Sequence, residues 1–254
     1  MPLLTEGLLL FRDLLSEARR LTQEARLDSR NPQHLLAGSL HAAVLERSRG
    51  VATLLEAGDA ACAFVVLRSL LEASIDLFNV VDDPQYAEFM NAAFLDQKRR
   101  VLNAATQAAS TNPYLSLFAD PSIDIPANLS QVRGEIADLK ARGFPLLSVE
   151  QRFQRAKQLE LYQGPYAYLC WQSHNNINSL EERHIVSTSA GVAVRYFAAP
   201  SDQDVLLALD TAGGILANSV SLLHQLANPS GWRTVTKDLT SKLEVLRAFW
   251  HKPQ

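Results

Sequence analysis

Arg68, Glu72 and Asp76 stand four residues apart in the stretch 61–81, ACAFVVLRSLLEASIDLFNVV. On a helix this spacing makes one stripe that drifts by about 40° per step. The other sides of the stretch are apolar nearly all round, with no Gly or Pro inside, which predicts a helix in the middle of a protein. A charge there must meet a polar partner or line a wet cleft, because an unpaired buried charge is very costly. Arg ahead of Glu is also the less favourable order for an i,i+4 pair. Two readings stay open: a structural ion network, or a functional cleft.

A second polar group lies about a hundred residues later, in Tyr166-Ala-Tyr168-Leu-Cys170-Trp171-Gln-Ser173-His174-Asn175-Asn176. Read as a helix, it puts Tyr166, Cys170 and His174 on one stripe and Trp171 and Asn175 on the next. His174 sits among Tyr168, Ser173 and Asn175, side chains able to hold an imidazole in one tautomer. The bland alternative is a hydrogen-bonded core histidine. A Ser173–His174 hydrolase is not expected: adjacent helical residues point about 100° apart, and no nucleophile-elbow glycine pattern is present.

Other chemistries find little support. The remaining histidines, His34, His41, His184, His224 and His251, show no HxxxH, HExxH or Cys/His ligand spacing, so no metal is expected. Gly213-Gly214 lies in a helical pattern with no strand before it, so a phosphate loop, and with it a nucleotide cofactor, is not expected. Cys62 and Cys170 read as two buried free thiols. The net charge of −3 and pI near 6.1 argue against a broadly basic surface. Local clusters such as Lys98-Arg99-Arg100 and Arg152, Arg155, Lys157 read as solvated faces, with phosphate contact the alternative.

The elements that must position these groups are helical. Of 254 residues, 47% are hydrophobic and 20% charged, ordinary for a globular chain with a full core. Residues 3–28 carry Leu4, Leu8, Phe11, Leu15 and Leu21 on one side and Arg12, Glu17, Arg19, Arg20 and Glu24 on the other. Asn31-Pro32 opens a second helix to about Ala57, with Leu36, Leu40, Val44, Val51 and Leu55 inward. Gly58-Asp59 is a stop followed by a cap. A fourth helix spans about 84–109, residues 110–126 read as loop, and 127–142 as a short helix. Ser148–Gln151 and Ser201–Asp204 have the form of capping boxes, and Pro165 starts or kinks a helix over 166–178. From His184 to Ala199 a short hairpin or an extended loop fits equally. A long apolar helix to about Leu226 and a last one over 236–250 follow. The expectation is all-α: a single helical domain over 1–254 with about seven to nine helices and, at most, one hairpin near 185–198. Residues 61–81 are the only stretch that suggests a membrane span, and their three charges argue against it. The N-terminus lacks the basic region and cleavage site of a signal peptide. A cytoplasmic protein without membrane contact is expected.

Arg68-Ser69-Leu70-Leu71-Glu72-Ala73, with the later Tyr168-x4-Ser173-His174, is similar to a bacterial all-helical family of unknown function. That family pairs an R-S-L-x-E-A helix with a late Tyr/Ser/His helix, and the resemblance covers about residues 45–225. The family looks HEPN-like, that is, similar to helical bundles that include ribonucleases of toxin and phage-defence systems. In those nucleases an Arg and a His with four to six residues between them on one helix meet across a dimer. Here Arg30-x3-His34 and Arg247-x3-His251 are one residue short. What carries over is the correspondence of Arg68, Glu72 and His174 with the family's polar positions. The resemblance implies either of two functions. One is a helical interaction or sensor module without catalysis, in bacterial stress or phage defence, with the stripe fixing register and a homo-oligomer surface. The other is a ribonuclease acting on RNA. There Arg68 holds the phosphate charge, and His174 is general acid/base, oriented by Glu72 or Asn175. Asp76, Tyr168, Ser173 and Asn175 are the accompanying binding candidates. A third reading places an anionic ligand in a pocket between Arg68 and His174.

Overall fold

The computed structural model of the chain describes residues 2–108, 110–120, 122–173, 176–189, 191–196 and 199–250. The architecture is all-α with one small sheet. Among the described residues there are twelve α-helices. In chain order they are α1 (Pro2–Glu24), α2 (Pro32–Glu56), α3 (Ala60–Asp82), α4 (Tyr86–Ala108), α5 (Ile125–Ala141) and α6 (Val149–Arg155), then α7 (Leu159–Leu161), α8 (Ala167–Ser173), α9 (Ile177–His184), α10 (Asp202–Ala227), α11 (Trp232–Val235) and α12 (Lys237–Trp250). The count exceeds the expectation by α7 and α11, single turns of three and four residues, too short to show a period in sequence, and by α9, which starts anew at an Asn176 cap. The hairpin forms: β1 (Ile185–Thr188) pairs antiparallel with β2 (Gly191–Val194).

The local signals act as the residue chemistry predicts. Asn31 accepts from the Gln33 N–H, with Pro32 in the first turn. Gly58 takes φ +79° to stop α2, a backbone state that costs little only for glycine. Asp59 then accepts from the Cys62 N–H at 3.0 Å. Ser148 and Gln151 exchange hydrogen bonds, as do Ser201 and Asp204. Residues 110–126 are not simply loop: Asn112 caps a 3-10 turn over Pro113–Ala119.

The chain divides into two compact units, residues 1–82 with 153–254, and residues 83–152. In the first, α2, α3 and α10 pack on one another, α1 lies on α2 and α10, α8 lies on α3, and α12 lies on α1 and α10. Leu8, Phe11, Leu15 and Leu21 of α1 are buried as their spacing requires, each contributing about 1.5–3 kcal/mol. Gly213 of α10 explains the Gly-Gly pair: a Cβ there would lie 3.1–3.3 Å from Leu246, Leu14 and Leu243, so the glycine admits α1 and α12 close to α10. In the second unit α4 pairs with α5 around Ala92, Leu95, Leu102, Leu129, Val132 and Leu139. Arg99 and Arg100 there clamp Asp96 at 2.7 and 2.8 Å, and the Arg99 hydrogen bond holds that carboxyl below its usual range.

Two expectations need correction. Cys62 is exposed and Cys170 half-buried, because the first turns of α3 leave one edge uncovered, where Val65 is also exposed. Apolar composition marks a core helix without saying which of its turns are covered. The helix long and apolar enough to cross a membrane, among the described residues, is α10 rather than α3, and 56% of that window is buried inside the protein. The bundle core also carries polar groups that the apolar pattern hides. His41 is 1% exposed, with Nε2 2.7 Å from Thr22 Oγ1 and Nδ1 3.2 Å from Ser219 Oγ. His224 Nε2 donates to the Leu21 carbonyl at 2.8 Å. Both hydroxyls lie within reach of a carbonyl of their own helix, Ala18 and Leu216. A neutral ring donates from one nitrogen and accepts at the other, so one hydroxyl must turn its proton to the ring.

Burial, with His224 nearby, pushes His41 down to about 4. Folding therefore favours the neutral ring. Above about pH 6.5 the ring is neutral in both states and its contribution is complete. Between about 6.5 and 4 only the unfolded chain takes up the proton, so stability falls with pH. The expected loss from this ring is roughly 2 kcal/mol at pH 5 and roughly 3 kcal/mol below pH 4. Urea unfolding of wild type and His41→Gln at pH 7 and pH 5 measures it; parallel pH dependences would refute it.

Candidate functional site

The stripe on α3 meets α8 at its basic end. Arg68 and Glu72 are an ion pair, Nε to Oε1 3.4 Å, with side chains 27% and 29% exposed. They are neither sealed in the core nor washed on all sides. The pair is bridged by Tyr166. Its hydroxyl donates to Glu72 Oε1 at 2.8 Å and accepts from Arg68 Nη2 at 3.2 Å and Nε at 3.4 Å. Arg68 Nη1 donates to Ser173 Oγ at 3.4 Å. Ser173 Oγ also lies 3.4 Å from the Cys170 carbonyl. Asp76, one turn beyond Glu72, is half-buried.

Tyr166 is placed by an unusual turn. Residues Tyr162–Tyr166 form a π-helical turn containing Pro165, the kind of widened turn often found at functional sites. It stacks Tyr162 on Tyr166, centroids 5.6 Å apart and planes 20° off parallel. Phe153, fully buried, packs on both at 5.6 and 5.1 Å. The Arg68 guanidinium carbon lies 5.4 Å from the Tyr166 ring centre. From Tyr166 to Ser173 is seven residues, two helical turns, so both face Arg68.

The electrostatics follow from this geometry. Burial, reinforced by the bond to Glu72, raises the Tyr166 phenol well above its ordinary range despite Arg68; the group keeps its proton and acts as donor to the carboxylate. Burial works against the Arg68 charge, but the Tyr166 hydroxyl and Glu72 hold it above its ordinary value. Among the described residues the guanidinium is thus engaged by Tyr166, Ser173 and Glu72.

Of the sequence candidates, the structure brings Arg68, Glu72 and Ser173 together. Tyr168 is turned away, about 200° round the helix from Tyr166. It packs edge-on against Phe64 at 6.1 Å, and its hydroxyl accepts from Gln172 at 3.0 Å; burial raises its phenol. His174 and Asn175 lie outside the described residues. Either side of them, Arg183 of α9 donates to the Gln172 carbonyl at 2.9 Å and to the Gln172 side chain. Ser179 donates to the Trp171 carbonyl at 3.2 Å, so α9 is tied back to the end of α8. The residue that sequence reasoning left out of the site is Tyr166. Its signal was present: it shares a helical stripe with Cys170 at the same four-residue spacing as the stripe on α3. Among the described residues no group of His, Cys, Asp and Glu is arranged to hold a metal ion.

Removing the phenolic bridge should cost roughly 1.5–3 kcal/mol, the range for hydrogen bonds to charged groups. Urea unfolding of Tyr166→Phe tests this, and the Arg68→Ala/Tyr166→Phe double-mutant cycle should show coupling. Additive single effects would mean that the three groups do not act as a unit.

A model described as a family of unknown function, DUF5677, matches residues 34–192. The match spans more than half of the chain and includes Arg68, Glu72, Tyr166 and Ser173; the chain belongs to that family. No curated protein and no solved structure matches it.

Proposed function

We propose that this member of the family is a helical interaction or sensor module without catalysis, and that it meets a second copy of itself through the β1–β2 ribbon. The observation that carries this is an uncovered apolar ribbon face. Ile185 is paired with Val194, and Ser187 with Val192, so these four share one side of the ribbon. Ile185, Val194 and Val192 are 43%, 55% and 75% exposed. A two-stranded ribbon by itself is marginally stable in water, and an exposed strand edge is a template for another chain. Two antiparallel edges related by a two-fold axis are self-complementary, which favours a second copy over an unlike partner. Tyr196, Ile177, Leu180 and Trp171 add exposed apolar groups from the neighbouring segments. In this reading the Arg68–Tyr166–Glu72 cluster sets the register of α8 on α3 and does no chemistry. The HEPN-like resemblance gives the setting, a bacterial cytoplasmic stress or phage-defence response.

One observation favours a second reading, a HEPN-like ribonuclease using Arg68 and His174: Ser173, directly before His174, accepts from the Arg68 guanidinium. Arg68 would then exchange a tyrosine partner for a phosphate. Incubation of purified wild type and His174→Ala with mixed RNAs decides this; absence of cleavage by wild type removes it.

For the first reading, light scattering over a concentration series should give a dimer for wild type. Val192→Lys/Val194→Lys should give a monomer with unchanged helical circular dichroism. A wild type that stays monomeric throughout, or a variant that dimerises as well as wild type, would sink it.

A further inference from the structure

The second unit carries an uncovered apolar line along α4. Met90, Phe94, Gln97, Val101, Ala104 and Ala108 follow one another at alternating spacings of four and three, the heptad rhythm of a helix seam. The buried seam of α4, through Leu95 and Leu102, lies about 90° round the helix from Phe94. Phe94 and Val101, one heptad apart, are 60% and 43% exposed, and Gln97 and Ala104 are exposed beside them. Exposed apolar groups in one line mark a contact surface. A straight line at this period fits a second helix laid along the first.

The flanks decide the character of that helix. Lys98 borders the line on one side and Arg100 on the other. No Asp or Glu occurs in α4 beyond Asp96, and that one carboxylate is shared by Arg99 and Arg100, so the cluster keeps a net positive charge. Glu88 and Asp138 are engaged by Arg142 toward the start of the helix, with Glu135 close by. Acidic partner charge therefore belongs opposite the half that holds Lys98 and Arg100. A second copy of α4 would set cation against cation there in either orientation.

We infer that the Phe94–Val101 face of α4 docks an amphipathic helix of an unlike partner protein, apolar along its seam and flanked by Asp or Glu opposite Lys98 and Arg100. Apolar burial supplies the affinity, and the flanking charges choose the partner. The site does not rest on self-association through the ribbon; a monomeric ribbon variant should bind equally well.

The probe is a fluorescein-labelled synthetic helix of three heptads with Leu at a and d and Glu at e and g, whose Glu flanks keep it from pairing with itself. Fluorescence anisotropy with the full chain should show saturable binding. The same peptide with Lys at e and g should bind about tenfold more weakly. The chain is acidic overall, so general charge attraction alone would give the opposite order. Phe94→Ser/Val101→Ser should lose the binding, and Lys98→Glu/Arg100→Glu should reverse the preference. Circular dichroism checks that each variant is folded; if Phe94→Ser/Val101→Ser is not, the charge reversal decides. No saturable binding by wild type, equal binding of the two peptides, or unchanged affinity in Phe94→Ser/Val101→Ser overturns the assignment. So does a wild-type dimer that becomes a monomer in folded Phe94→Ser/Val101→Ser, which would give the face to a second copy instead.

Discussion

One tyrosine hydroxyl between an arginine and a glutamate holds α8 against α3. α3 lies among α2, α8 and α10, and a guanidinium in such a place needs donors satisfied without the help of bulk water. Tyr166 supplies the answer with one group, accepting from Arg68 and donating to Glu72. The arrangement demands that Tyr166 stand in one place, and the π turn with its Phe153–Tyr162–Tyr166 stack provides it. A charged helix stripe, an aromatic stack and an irregular turn are therefore parts of one constraint.

The same logic recurs deeper in the bundle with uncharged partners. His41 and His224 are sealed in the core of the first unit, each bonded to groups on other helices. A neutral imidazole such as that of His41 tolerates low dielectric where an ion pair does not, while the arginine and its carboxylate stay at a half-open edge. Cross-helix hydrogen bonds of this kind specify one register among several that an apolar stripe alone would accept.

The segment from Tyr166 through α8 has two faces with different chemistry. Tyr166 and Ser173 turn to the polar cluster, and Tyr168 turns to an apolar cavity bounded by α10 and α12. A short segment of seven residues is thus braced on one side by hydrogen bonds and borders empty space on the other. The nearby ribbon exposes apolar side chains on one face. The half-buried cation of the stripe is engaged by Glu72, Tyr166 and Ser173.

Much of the fold is legible in the residues alone. The amphipathic periods of α1 and α2, the Asn31-Pro32 and Ser201–Asp204 starts, the Gly58 stop and the helix-free stretch that becomes β1–β2 all follow from local backbone chemistry, which acts within a few residues and so leaves its mark in order. Arg68, Glu72 and Ser173 were legible as a polar group seeking partners. Their meeting through Tyr166, the turning of Tyr168 into a cavity and the burial of His41 were not. Each depends on which helix lies opposite and at what rotation. A change of two residues along a helix swings a side chain by about 200°, and only packing between helices fixes that angle.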